Sequence, residues 1–321
     1  MKIPIFAKNF KTPILSGINL RFFYQLSEFI MKVLREISEV RNARRECRST
    51  LGLVPTMGAL HEGHLTLIRK SVEKCSQTIV SIFVNPTQFG PNEDYEKYPR
   101  TVEEDLRKCE AAGADYVFLP TNEVIYGTEK PLVTLNVDKE LTSILCGKSR
   151  PIHFNGVAQI VSILFNIAQP DVAFFGEKDY QQLTVIRKMV ADLHFPLEIV
   201  GVPTVREESG LARSSRNRYL SKAELAVAPN IYKVMNIIKE KANSLHANNE
   251  TVPVETLENE AKKMISELVP GSKIDYFEIR STNDLKRSEN LAADSRIFTA
   301  VYVGTTRLID NLYIGKYKIR R

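Results

Sequence analysis

The sequence has no run of the roughly 20 consecutive apolar residues that a helix needs to cross a bilayer, which leaves out a helical membrane span. Cysteine is scarce. Cys47, Cys75, Cys109 and Cys146 are widely spaced and form no Cys-x-x-Cys pair. That spacing disfavours a zinc knuckle and a disulfide framework, and it suits a reducing cytoplasm. There is no Walker loop and no Gly-x-Gly-x-x-Gly, so P-loop hydrolysis and ordinary dinucleotide binding lose their usual support. A Gly-x-Ser-x-Gly elbow is also missing, as are internal repeats and low-complexity segments.

What is present is an ordinary globular composition. The 321 residues are 43% hydrophobic and 26% charged, which excludes bulk disorder. At roughly 100–200 residues per domain the length suggests two domains. The net charge of +6 would suggest nucleic acid if it were concentrated on one face. It is not. The first 50 residues hold ten Lys/Arg against four Glu, and the tail adds Lys316, Lys318, Arg320 and Arg321, so the body is net acidic. A nucleic-acid partner is not expected.

Residues 1–30 are basic and only weakly like a transit peptide; they are expected to form a leader outside the fold. A second Met at 31 opens a helical pattern within an amphipathic stretch over 28–48. After it, short apolar runs alternate with helical ones. Strands are expected at 51–54 (ending at Pro55), 78–84, 116–119, 172–175 and 198–202. Helices are expected at 64–76, 101–113 (opened by a Thr101–Glu104 capping box), 156–168 and 180–193. This alternation argues for a parallel sheet covered on both faces. Beyond about 205 the order changes to helices at 222–246 and 254–268, joined by a loop over 243–253. Strands then follow at 274–279, 297–303 and 308–312, a pattern that fits a small α+β domain.

Chemistry concentrates in loops after strands. Pro55 to His64 (Pro-Thr-Met-Gly-Ala-Leu-His-Glu-Gly-His) follows the first strand, where an open α/β sheet binds ligands. Its glycines allow close backbone approach, and the next helix can offer N–H groups to an anion. His61 and His64 can face one side and donate to a phosphate; one capping and one packing is the bland alternative. Zinc is a weak third reading of His-x-x-His alone. The segment Phe174 to Gln182 places Lys178 at a strand end as a mobile cation, Asp179 as an N-cap, and Gln182 one turn further on. Arg213-Ser214-Ser215-Arg216-Asn217-Arg218 pairs hydroxyls with arginines, suiting a triphosphate or else a solvated basic linker. Gln88 in Asn85-Pro86-Thr87-Gln88-Phe89-Gly90 is a small-acid ligand or a turn residue.

Taken together, Met57 to His64, Asn85 to Phe89, Arg150-Pro151-Ile152-His153-Phe154, Phe175 to Gln182 and Ser214 to Asn217 resemble the pantothenate synthetase family, from about Met31 to about residue 314. The resemblance implies an α/β fold with a Rossmann-like ATP- and pantoate-binding domain over 31–204 and a smaller α+β C-terminal lid over 205–315. It implies a Mg²⁺-dependent ligase, typically a cytoplasmic homodimer. Such a ligase joins pantoate to β-alanine through a pantoyl adenylate and converts ATP to AMP and diphosphate. On this resemblance ATP is bound by Met57, Gly58, Ala59, Leu60, His61, Glu62, Gly63 and His64, by Gly176, Glu177, Lys178 and Asp179, and by Val205, Arg213, Ser214, Ser215 and Arg216. His64 is the implied proton donor, with His61, Lys178 and Arg216 beside it. Gln88 and Gln182 are the implied substrate ligands; no metal ligand is implied. Two residues depart from the family pattern: Arg213 stands where an apolar residue is usual, and Ile152 where glycine is usual.

Overall fold

The computed structural model describes residues 31–91, 93–129, 131–247 and 253–315; the expected leader at 1–30 and the basic tail at 316–321 lie outside the described residues. Six parallel strands form the larger sheet: β1 (Lys32–Leu34), β2 (Leu51–Thr56), β3 (Gln77–Ile82), β4 (Tyr116–Phe118), β5 (Val172–Gly176) and β6 (Glu198–Val202). Their spatial order is β1-β4-β3-β2-β5-β6. Successive side chains leave a strand on opposite faces. Leu53, Ile79, Phe118 and Phe175 therefore meet helices Ile37–Glu46, His153–Ala168 and Tyr180–Asp192 in one apolar cluster. Val54, Val80, Val117 and Phe174 meet helices Glu62–Lys74 and Val102–Ala111 in another. Both faces are covered, which is why these strands read as unbroken apolar runs rather than alternating ones.

The first expected element is corrected. Lys32-Val33-Leu34 is an edge strand in register with Tyr116-Val117-Phe118, and the helix runs only over Ile37–Glu46. Glu39 fixes that start, because its carboxylate accepts from the N–H groups of Arg35 and Glu36 at 2.6 and 2.9 Å. The capping box expected at Thr101 is also absent, since the Thr101 hydroxyl donates to Asp105 at 3.1 Å instead. The expected helix at 222–246 is broken by Pro229 into Lys222–Val227 and Asn230–Ala247. Three antiparallel strands, β7 (Lys273–Ser281), β8 (Ser295–Val303) and β9 (Thr306–Tyr313), follow helix Val254–Leu268. Their apolar side, with Phe277, Ile297 and Val301, packs on Ile238, Leu257 and Ile265.

The strand order reverses at β2, since β3 and β4 lie to one side of it and β5 and β6 to the other. Pro55 helps to open this point. The β2 strand continues through Pro55 to Thr56, one residue past the expected end. In β2 the Leu51 carbonyl accepts from Asp171 on the β5 side, and the Thr56 carbonyl from Phe83 on the β3 side. By alternation Pro55 faces β5, where pairing already stops at Leu53 opposite Ala173. Its missing N–H thus removes no ladder bond, and the two strands are free to part into a crevice.

Candidate active site

The turn after β2 is a reciprocal cap made of two histidines. His61 is the N-cap of helix Glu62–Lys74, and its Nδ1 accepts from the Gly63 N–H at 3.1 Å. The His64 Nδ1 accepts in return from the His61 N–H at 3.3 Å. The rings lie 4.1 Å apart. A Cβ on Gly63 would come within 2.9 Å of the His61 ring, so this cap needs glycine there. With each Nδ1 accepting, each ring carries its proton on Nε2. The expected supply of free helix N–H groups is reduced, because Gly63 donates to the His61 ring and His64 to the His61 carbonyl at 2.8 Å. What the turn offers a ligand is two imidazole N–H edges.

Asp105, which no sequence argument singled out, shapes this loop. It is 1% exposed and accepts from the N–H groups of Ala59 at 2.9 Å and Leu60 at 2.7 Å. Lys108 closes the other side by donating to the Leu60 carbonyl at 2.6 Å. The available signal was an acidic residue on the apolar side of a helix, four positions before Cys109.

The remaining loops converge on the same crevice. Helix His153–Ala168 crosses so close to the Pro86–Gln88 turn that a Cβ on Gly156 would sit 2.4 Å from the Thr87 carbonyl oxygen. Asn85 donates to the Gly156 carbonyl at 3.1 Å and to Gln88 Oε1 at 3.2 Å, so the Gln88 amide is oriented before any ligand arrives. His153 Nδ1–H donates to the Gln88 carbonyl at 3.0 Å. Ile152 is 47% exposed with φ −95°, so this departure from glycine carries no strain. Lys178 lies at the end of β5, 4.0 Å from Asp179. Asp179 starts helix Tyr180–Asp192 without a side-chain cap bond, unlike its expected role. Desolvation opposes its charge, but Lys178 and Arg216 outweigh that and hold its carboxyl below the usual range. Arg216 is paired with Asp94 at 3.1 Å, and Arg150 with Glu93.

A cavity of about 230 Å³ is bounded by Met57, His61, Gly63, His64, Gln88, Gly176, Lys178, Asp179, Gln182, Val205, Arg213, Ser214, Ser215 and Arg216. Lys178, Asp179, Gln182 and Arg216 also border an adjoining one of about 660 Å³ that reaches β9. Other residues expected at the site do not line the first cavity with their side chains. Ala59 and Leu60 are buried, Leu60 within the sheet core. Gly58 lines a separate pocket behind the loop. Glu62 pairs outward with Arg69, and Glu177 turns to Arg296. Asn85, Tyr98 and His153 line the cavity and were not assigned from sequence. Arg213 lines it too, and its buried Nε has no hydrogen-bond partner among the described residues.

Burial, and then the neighbouring His64 and Lys178, push His61 down to about 3. Burial alone dominates at His64 and His153, each lowered to about 4. All three are neutral at pH 7. The unfolded chain binds these protons below its ordinary value of 6.5 and the folded chain does not, so stability rises with pH between about 4 and 6.5. Acidification from pH 7 to pH 5 should therefore cost roughly 1–2 kcal/mol per histidine. Denaturant titrations across this range, with His153→Ala reducing the slope, check it; a flat profile would refute it.

The family model described as pantoate-beta-alanine ligase matches residues 31–313. A protein named pantothenate synthetase from Acinetobacter baumannii is 48% identical over 274 residues, covering 85% of this chain and 94% of that protein. One of the same name from Marinobacter nauticus is 46% identical over 283 residues, covering 88% and 98%. The crystal structure of pantothenate synthetase from Thermus thermophilus superposes with a TM-score of 0.82 at 40% identity, covering 89% of this chain and 100% of that one. A pantoate-beta-alanine ligase structure from Francisella tularensis, described as complexed with beta-gamma ATP and beta-alanine, gives 0.71 at 34% identity, with 89% and 98% covered.

Proposed function

Because the chain belongs to the pantoate–β-alanine ligase family, we propose that it condenses pantoate with β-alanine in the β2/β5 crevice, using ATP and passing through a pantoyl adenylate. One observation carries this reading: two neutral amides, Gln88 and Gln182, border the same cavity as the histidine pair, Lys178 and Arg216. Amides can hold a small hydroxy acid without competing for the phosphates.

In the first step a pantoate carboxylate oxygen attacks the α-phosphorus and diphosphate leaves. Two anions must meet, so Lys178, Arg216 and Arg213 offset the charge while His61 and His64 donate Nε2–H bonds to phosphate oxygens. The neutral rings make His64 a hydrogen-bond donor rather than an imidazolium acid. Gln182 holds pantoate, and Gln88 serves both pantoate and the incoming amine. In the second step the free amine of β-alanine attacks the acyl carbon, AMP leaves, and the amine gives up a proton. The labile adenylate needs protection from water, a task we assign to the lid at 205–315.

Among the described residues no group of three His, Cys, Asp or Glu could cage a metal. Mg²⁺ needs no such cage, since it keeps waters and travels on substrate phosphates. Asp179 is the cavity carboxylate fitted to hold it, where it would neutralise phosphate charge. Leu132 and Val133, 98% and 84% exposed, suit the proposed homodimer, which a single-chain mass in solution would overturn. The four free, buried thiols suit a cytoplasmic location.

The test is direct. ATP plus pantoate should release diphosphate, and adding β-alanine should yield AMP and pantothenate in equal amounts. An adenylylated product that persists with β-alanine would make the protein a nucleotidyltransferase instead.

A further inference from the structure

The turn that carries Lys178 is gripped from the far side by the C-terminal sheet. Asn311, on β9, is 4% exposed and donates from Nδ2 to two carbonyls, those of Glu177 and Lys178, each at 2.8 Å. Its Oδ1 accepts from Arg296 at 2.5 Å. Arg296, itself 6% exposed, lies 3.8 Å over the Tyr180 ring and 3.5 Å from the Glu177 carboxylate. Two donations and one acceptance from a single planar group are a task for an amide; a carboxylate lacks the donors and an alkyl group lacks both.

The residue before it does similar work elsewhere. Asp310 takes both ends of the Arg206 guanidinium at 2.6 and 2.9 Å. Arg206 also holds the Gly210 carbonyl and bridges to Ala212, directly ahead of Arg213 to Arg216. Adjacent strand residues project to opposite faces, so β9 reaches both cation-bearing segments at once.

Building on the functional reading above, we infer that Asn311 is a positioning residue for Lys178, through which any movement of the C-terminal sheet carries the Lys178 turn with it. Asn311 borders the adjoining cavity, but its amide is engaged with the backbone from which the ammonium projects. A misplacement of about 1 Å in such a group can cost roughly 100-fold.

The test is a double-mutant cycle read by pantoate-dependent ATP–diphosphate exchange, with thermal unfolding measured alongside. Asn311→Leu keeps the volume and removes the hydrogen bonds. It should lower the exchange kcat roughly 10- to 100-fold, with KM for pantoate nearly unchanged. In the Lys178→Ala background the same change should cost less than about 2-fold, because residues acting as one unit are non-additive. Should Asn311→Leu be insoluble, Asn311→Ser is read in the same cycle. Equal losses in both backgrounds would mark Asn311 as merely structural and overturn the inference alone, as would an undiminished rate in the Lys178 chain. Intact exchange in Lys178→Ala itself would instead overturn the role given to Lys178, and this inference with it.

Discussion

Replacing Lys178 with alanine should slow adenylate formation by roughly 10²–10³, the scale of removing one charge donor aimed at a transition state. The expectation rests on how the cations of the cleft are engaged. Arg216 is tied to Asp94 at 3.1 Å and Arg150 to Glu93, so each is already partly neutralised. The nearest carboxylate to Lys178 is Asp179 at 4.0 Å, too far for a hydrogen-bonded pair. Its ammonium is thus available to phosphate oxygens whose charge grows as diphosphate departs. Burst measurements of diphosphate release should show the loss. Binding of a pre-formed pantoyl adenylate should suffer much less, since the diphosphate has already gone. Equal losses in the two measurements would make Lys178 a structural residue. Lys178→Arg should recover only part of the rate, because a planar fork does not replace a compact point charge.

Asp105→Ala should produce the largest loss of stability. The carboxylate satisfies the buried N–H groups of Ala59 and Leu60, for which no other acceptor is found among the described residues. Each orphaned donor costs roughly 1–3 kcal/mol, so the pair should cost about 2–6 kcal/mol. Ala59 also holds φ +51°, a left-handed conformation that persists only while its surroundings enforce it. Once released, the loop should relax and carry His61 and His64 away from the cavity, so activity should fall even where the protein is still folded. Asp105→Asn keeps one acceptor but turns an amide donor towards the other N–H, and should fall between the two. Guanidinium unfolding curves check this. A stability within about 0.5 kcal/mol of the parent would sink the assignment, since that is the range of an ordinary surface substitution.

The contrast between Lys178 and Asp105 shows what could be read in advance. Lys178 sits at a strand-to-helix switch, and local pattern marks such places whatever the rest of the chain does. Asp105 lies mid-helix among charged neighbours, where its partners, 45 and 46 positions away, leave no local trace. The edge strand at Lys32–Leu34 was missed for the same reason. Its strand conformation is fixed by Tyr116–Phe118 across the sheet, against a local pattern that fits a helix equally well.

The alternation of apolar strands and helices, and hence a parallel sheet with both faces covered, is legible from sequence, because period is a property of neighbouring residues. The sequence also marked loops that border the cavity, since glycine, proline, histidine and lysine mark strand ends through their own backbone and charge. The order β1-β4-β3-β2-β5-β6 was decided only by tertiary structure. So were the Asp105 brace, the neutral Nδ1-capped histidines and the grip of Asn311 on the Lys178 turn, which spans 133 positions of chain. These are hydrogen bonds and desolvation between distant segments, and their energies exist only once folding has brought the partners together and excluded water.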